Sequence, residues 1–95
     1  MKIKLTKAFK DKLNRQVLYI SKDKPQAARK FKNDLIEHIR QIPIMPYSHR
    51  KSIFLEREDV RDLVFKGYII VYRINKQKNT IEVFGFSKFT DNPFM

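Results

Sequence analysis

The stretch Arg61-Asp62-Leu63-Val64-Phe65-Lys66-Gly67-Tyr68-Ile69-Ile70-Val71-Tyr72-Arg73-Ile74 leaves the chain few choices of local structure. β-Branched and aromatic residues dominate it, and its apolar positions alternate as on a pleated strand, which predicts two strands joined at Lys66-Gly67. Tyr68, Ile70, Tyr72 and Ile74 then share one face. After the polar run Asn75 to Asn79, the segment Thr80 to Ser87 returns to apolar alternation through Ile81, Val83, Phe84 and Phe86. The C-terminal half therefore reads as a three-stranded antiparallel meander that the rest of the chain must support on one face.

What precedes the meander has a different period. Residues 2–6 alternate Lys, Ile, Lys, Leu, Thr, a short strand with Ile3 and Leu5 facing inward. From Lys7 the apolar residues Phe9, Leu13, Val17 and Ile20 fall on one side of a helix, with Thr6 as its N-cap. Polar residues from Ser21 to Lys24 stop that helix. Pro25 suits the first turn of a second one, because its missing N–H is not needed there, and Ala28, Phe31, Leu35, Ile39 and Ile42 form its stripe. So short a connection predicts an antiparallel helical hairpin. Pro43 and Pro46 end it. The segment Ile44 to Lys51 reads as a loop, Ser52 to Leu55 as a brief extended piece, and Glu56 to Asp59 as a charged turn before the meander.

Strand, two helices, then three strands is an α+β order, with the helices packed on one face of the sheet. Residues 1–95 read as a single domain, long enough to bury a core without disulfides. There is no cysteine, which rules out a disulfide framework, a thiolate nucleophile and a zinc–thiolate site. Nothing approaches the roughly 18 consecutive apolar residues that span a membrane, and no apolar run follows the basic N-terminus, so a cytoplasmic protein with no membrane partner is expected. The 21 Lys and Arg against 10 Asp and Glu, a formal +11, predict attraction to a polyanion, whether nucleic acid, a ribosome surface or an acidic protein.

If the hairpin covers Leu63, Phe65, Ile70, Tyr72, Ile74, Ile81 and Val83, the opposite face carries Asp62, Val64, Lys66, Ile69, Val71, Arg73, Glu82, Phe84, Phe86 and Lys88. Val64, Ile69, Val71, Phe84 and Phe86 are too apolar to be left bare. Either the C-terminal residues Phe89 to Met95 fold over them, or a second copy or another partner does. An acidic partner with an amphipathic segment would suit the surrounding cations. Ile69, Val71, Arg73, Phe84, Phe86 and Lys88 are thus candidate binding residues. Arg61 is a further candidate for a target contact, against a structural role pairing with Glu37 or Asp34.

Catalytic signals are sparse. His49 beside Arg50 and Lys51 sets a base next to two cations in a loop, and Lys88 could add a third cation. A lone loop histidine is more often without function. His49 and His38, far apart and without clustered carboxylates, form no metal-site pattern. The only glycines are Gly67 and Gly85, so there is no glycine-rich phosphate loop, and no cofactor is called for. Tyr68 and Tyr72 face the helices and read as core residues with hydroxyls at the rim, not as a base-stacking platform.

Over nearly its whole length the sequence resembles the RelE/ParE superfamily of type II toxin–antitoxin toxins. The pieces that match are Pro25 with Ala27-Ala28 and Phe31, Ile39 through Ile42 and Pro43, Arg61-x-Leu63, Tyr68-x-Ile70-x-Tyr72-x-Ile74, and Ile81-x-Val83. The resemblance implies the same strand, hairpin and meander, and a cognate antitoxin with an acidic segment. It also implies a choice of target. RelE-like members cut mRNA on the ribosome with basic residues on the exposed sheet face, whereas ParE-like members inhibit DNA gyrase. Aligned on Gly67-Tyr68, the two positions expected to be basic are Asp62 and Ile69 here. A carboxylate at the first would repel the scissile phosphate. Lys88 stands where an arginine is usual, and no tyrosine follows it. The ParE-like branch is therefore favoured, a plasmid-stabilising growth inhibitor. A ribosome-dependent endoribonuclease with a rearranged site and a non-toxic basic binding module are the alternatives.

Overall fold

The computed structural model describes residues 1–88. Strand β1 (Lys2–Leu5) leads into helix α1 (Lys7–Ser21), and helix α2 (Pro25–Gln41) returns antiparallel to it. A single 3-10 turn at Ile42–Ile44 follows, and then strands β2 (Arg50–Lys51), β3 (Val60–Phe65), β4 (Tyr68–Asn75) and β5 (Thr80–Lys88). They form one sheet in the order β1-β5-β4-β3-β2. The C-terminal meander thus lies inside a five-stranded sheet whose borders are the two shortest strands.

The local signals act as expected. Thr6 Oγ1 accepts from the backbone N–H of Phe9 at 3.2 Å and caps α1. Pro25 opens α2. Lys66 and Gly67 both have positive φ, 47° and 82°, the geometry of a two-residue hairpin turn whose twist suits the flanking strands. β1 pairs with β5 in parallel, Ile3 beside Ile81 and Leu5 beside Val83. The helical hairpin carries the chain from β1 across the sheet to β2 at the opposite border, and the meander β3-β4-β5 brings it back beside β1, which supplies the long connection that a parallel pair requires.

The main core lies between hairpin and sheet. Phe9, Leu13, Phe31, Leu35, Ile39 and Ile42 meet Leu63, Phe65, Ile70, Tyr72, Ile74, Ile81, Val83 and Phe86. Phe86 belongs here and not on the opposite face where plain alternation puts it. Tyr72 pairs with Val83, yet Val71 pairs with Gly85, so Phe84 is an extra residue in β5 and every residue after it changes face. Phe86 accordingly stacks on Tyr68 at 5.2 Å and meets the Phe9 ring edge-on at 6.0 Å. Lys88 changes face with it and lies opposite Tyr68 at the end of the sheet.

The extended piece is also displaced. The strand is Arg50–Lys51, and residues 52–59 leave the sheet plane and cross its far face. Phe54 and Leu55 pack there against Val60, Ile69 and Val71, together with Phe84. The apolar far face is covered over Ile69 and Val71 from within the described residues, while Val64 on the same face stays 44% exposed. A cover by Phe89 to Met95 lies outside them.

Candidate functional site

Residues 52–59 form a strap, and the residues that hold it occupy the far face of the sheet, where Asp62, Ile69, Val71 and Arg73 lie. Ser52 donates its N–H to Val60 O at 2.9 Å, continuing the short β2–β3 pairing by one step. Next, Ile53 donates its N–H to Asp62 Oδ2 at 3.0 Å. The Asp62 side chain is fully buried and lies 3.5 Å from Arg50 Nη2. Its other oxygen, Oδ1, accepts no hydrogen bond among the described residues. Asp62 is therefore a buried anchor for the strap and not an exposed carboxylate on an open face.

Charge pairs clasp the far end of the strap. Arg57 forks onto Asp59 with bonds of 2.9 and 2.7 Å, and Arg73 Nε reaches the same carboxylate at 3.1 Å. Arg73 Nη1 also lies 3.6 Å from Glu82 on β5. Burial pushes the Asp59 carboxyl up, but the hydrogen bonds from Arg73 and Arg57 outweigh it and hold the group below the usual 3.8. Glu58 is likewise held below 4.5, chiefly by its hydrogen bond from Lys51.

Arg61 is tied up in the same junction. Its Nε donates to Glu58 O at 3.0 Å, and Nη1 donates to His49 O at 3.1 Å and to Tyr47 O at 3.5 Å. The guanidinium stacks over the Tyr47 ring at 5.1 Å. These contacts suit a structural arginine, but its partners are loop carbonyls and Glu58, not Glu37 or Asp34. Asp34 turns instead to Lys30 and Lys66. Tyr72, fully buried, donates its hydroxyl to Pro46 O at 2.6 Å and pins the same loop. The Tyr68 hydroxyl accepts from Gln16 at the rim, and burial raises its pKa.

The candidate residues thus separate. Ile69 and Val71 are wholly buried under the strap, and Phe86 lies in the main core on the other side of the sheet. Phe84 is half-buried beside the strap. Lys88 is exposed at the far end of β5. The basic set Arg50, Lys51, Arg73 and Lys88 does not converge, and each of the first three lies beside a carboxylate, those of Asp62, Glu58 and Asp59 respectively. His49 packs against the edge of Tyr72 at 5.9 Å. Burial, and secondarily the charge of His38, lowers its pKa. Among the described residues no group of three or more His, Asp or Glu side chains could hold a metal ion, and no helix is long and apolar enough to cross a membrane.

The residues that build this surface and were not singled out are Ser52, Phe54, Leu55, Glu58 and Asp59. One signal was present: Asp62, a carboxylate inside an apolar strand, needs a donor when buried, and a nearby loop must supply it.

The family model of the ParE toxin of the type II toxin–antitoxin system parDE matches residues 3–88. The chain belongs to the ParE toxin family. The match runs from β1 to the last residue of β5, so it covers every element described above. No curated protein matches the chain. A ParE toxin of a type II system implies an antitoxin partner.

Proposed function

We propose that this ParE toxin arrests growth by binding a large target, with DNA gyrase favoured, and that a cognate antitoxin carrying an acidic, amphipathic segment neutralises it. One observation carries the reading against the ribonuclease alternative. The two positions where the superfamily resemblance expects catalytic cations hold Asp62 and Ile69, which are 1% and 0% exposed beneath a strap of this chain's own residues. RNA cleavage needs positive groups presented to the phosphate and a proton acceptor within reach of the ribose hydroxyl. Here the nearest cations are turned onto carboxylates and the histidine onto a tyrosine ring. A protein that works by binding needs no such constellation.

The test is induction in a bacterial host, followed by supercoiling assays with purified gyrase and mapping of transcript ends. Growth arrest, loss of supercoiling and intact mRNA are expected, with rescue when the cognate antitoxin is co-expressed. Cleaved ribosome-bound mRNA with normal supercoiling would replace the reading with the nuclease one. Normal growth with soluble protein present would leave a non-toxic binding module.

A further inference from the structure

The helical hairpin carries more than half of the chain's excess charge. Residues 7–41 hold ten Lys and Arg against four Asp and Glu, a net +6 of the chain's +11. The two flanks of α2 differ. Lys30, Asp34 and His38 recur every fourth residue on one of them, where Asp34 Oδ2 lies 3.6 Å from Lys66 Nζ and the His38 ring 4.8 Å from that of Phe65. That flank overlooks the β3–β4 turn. The other, carrying Arg29, Lys32, Ile36 and Arg40, therefore faces α1.

On α1, Lys7, Lys10, Asn14 and Val17 form a row at the same kind of spacing. Val17 and Ile36 are the partly buried members of the two rows and pack against the main core, while the others are exposed. The rows thus border the seam between the helices on its solvent side. Lys7, Lys10, Arg29 and Lys32 have no ion pair among the described residues. Of the carboxylates, Asp34 turns to Lys30 and Lys66, Glu37 lies 3.8 Å from Arg40, Asp23 sits in the connection and Asp11 lies further round α1.

The composition of this face selects among polyanions. A protein interface has an apolar core, but the exposed residues of the two rows are Lys, Arg and Asn, and the exposed Leu18 and Tyr19 lie at the closed end of the helical hairpin. Single strands are held on aromatic platforms, and Tyr19 is the one exposed aromatic ring on these two helices. Phosphate backbones are held by Lys, Arg and side-chain amides, in interfaces that are polar and strongly positive. Packed helices stand about 8–10 Å apart, so two cation rows suit the two backbones that border the minor groove of B-form DNA, about 6 Å wide. The minor groove of A-form RNA is wide and shallow.

We propose that the seam-side face of the helical hairpin is a docking surface for double-stranded DNA. Lys7 and Lys10 on α1 bind the phosphates of one strand, Arg29 and Lys32 on α2 bind those of the other, and the amides of Asn14 and Asn33 donate beside them. The contact reads no sequence, and it does not depend on which target the toxin reading favours.

The probe is a fluorescein-labelled DNA duplex two helical turns long, titrated into the full chain and followed by anisotropy. Saturable binding is expected, with log Kd rising against log salt at a slope of about 3–4, the value for four phosphate contacts. Lys10→Glu with Lys32→Glu is expected to weaken binding about tenfold or more and to lower the slope by about 2. Lys2→Glu with Lys78→Glu makes the same change of net charge at exposed positions away from the helices. It is expected to weaken binding less than about threefold and to keep the slope. No saturable binding, equal weakening by the two pairs, tighter binding of the same duplex in RNA, or displacement by polyglutamate as effective as by unlabelled duplex would overturn the surface. A chain that arrests growth yet ignores the duplex loses this surface alone, and one that binds the duplex yet is harmless loses the toxin reading alone.

Discussion

The backbone N–H of Ile53 and the carboxylate of Asp62 meet at 3.0 Å on the far face of the sheet, and this bond ties the start of the strap to β3. With the bond in place, Phe54 and Leu55 lie over Ile69 and Val71. Asp62→Ala removes a charge-assisted bond while relieving a buried carboxylate whose second oxygen lacks a partner. The two effects oppose, and a net loss of about 1–2 kcal/mol is expected. Urea denaturation measures the loss, and faster amide exchange at Ile53 locates it in the strap. Unchanged exchange there would mean that Asp62 does not anchor the strap. Asp62→Asn keeps an acceptor oxygen and is expected to cost less.

Arg61 has a separable prediction. Its fork holds carbonyls of Tyr47, His49 and Glu58, an arrangement that a lysine ammonium cannot span from one point. Arg61→Lys is expected to cost about 1–2 kcal/mol of folding stability although the charge is kept. Any loss of toxicity should follow the stability loss. Unchanged stability with toxicity abolished would make Arg61 a target contact.

Most of the scaffold was legible because its elements are set by local rules. The stripes of Phe9, Leu13, Val17 and Ile20, and of Ala28, Phe31, Leu35 and Ile39, need only a helix's period, and Lys66-Gly67 needs only a turn with positive φ. Two things were not local. The extra residue at Phe84 is visible only when β5 is aligned against β4. The strap is irregular backbone whose place is set by tertiary bonds to Asp62 and Arg73. Both bear on the candidate site, which is why the surroundings of its residues differ from the expectation while the fold does not. A reading by alternation moved Phe86 and Lys88 to the wrong face and left Ile69 and Val71 uncovered.

The bulge itself can be tested by comparing two phenylalanines. Phe86 is 5% exposed between Phe9 and Tyr68, so Phe86→Ala is expected to cost about 3–4 kcal/mol through lost burial and a residual cavity. Phe84, half-buried at the strap's margin, should cost clearly less. Equal losses, or the reverse order, would contradict the register shift.

The last prediction concerns pH. Burial against Tyr72, and then the charge of His38, holds the His49 pKa below its usual 6.5. The unfolded chain therefore takes up this proton more readily than the folded one, and acid favours unfolding. The sign follows: the contribution of His49 is fully present above 6.5 and is lost as pH falls from there through the folded value. The lowered carboxyls of Asp59, Asp34 and Glu58 act in a separate window, beginning near 3.8 for the aspartates and 4.5 for the glutamate. The urea midpoint should thus begin to decline as pH falls through 6.5, ahead of the carboxylate limb near 4.5 and below. His49→Gln keeps a polar side chain of similar reach but cannot take up the proton, so it should flatten that decline while leaving the steeper acid limb intact. A decline of equal slope in the variant would place the titrating group elsewhere.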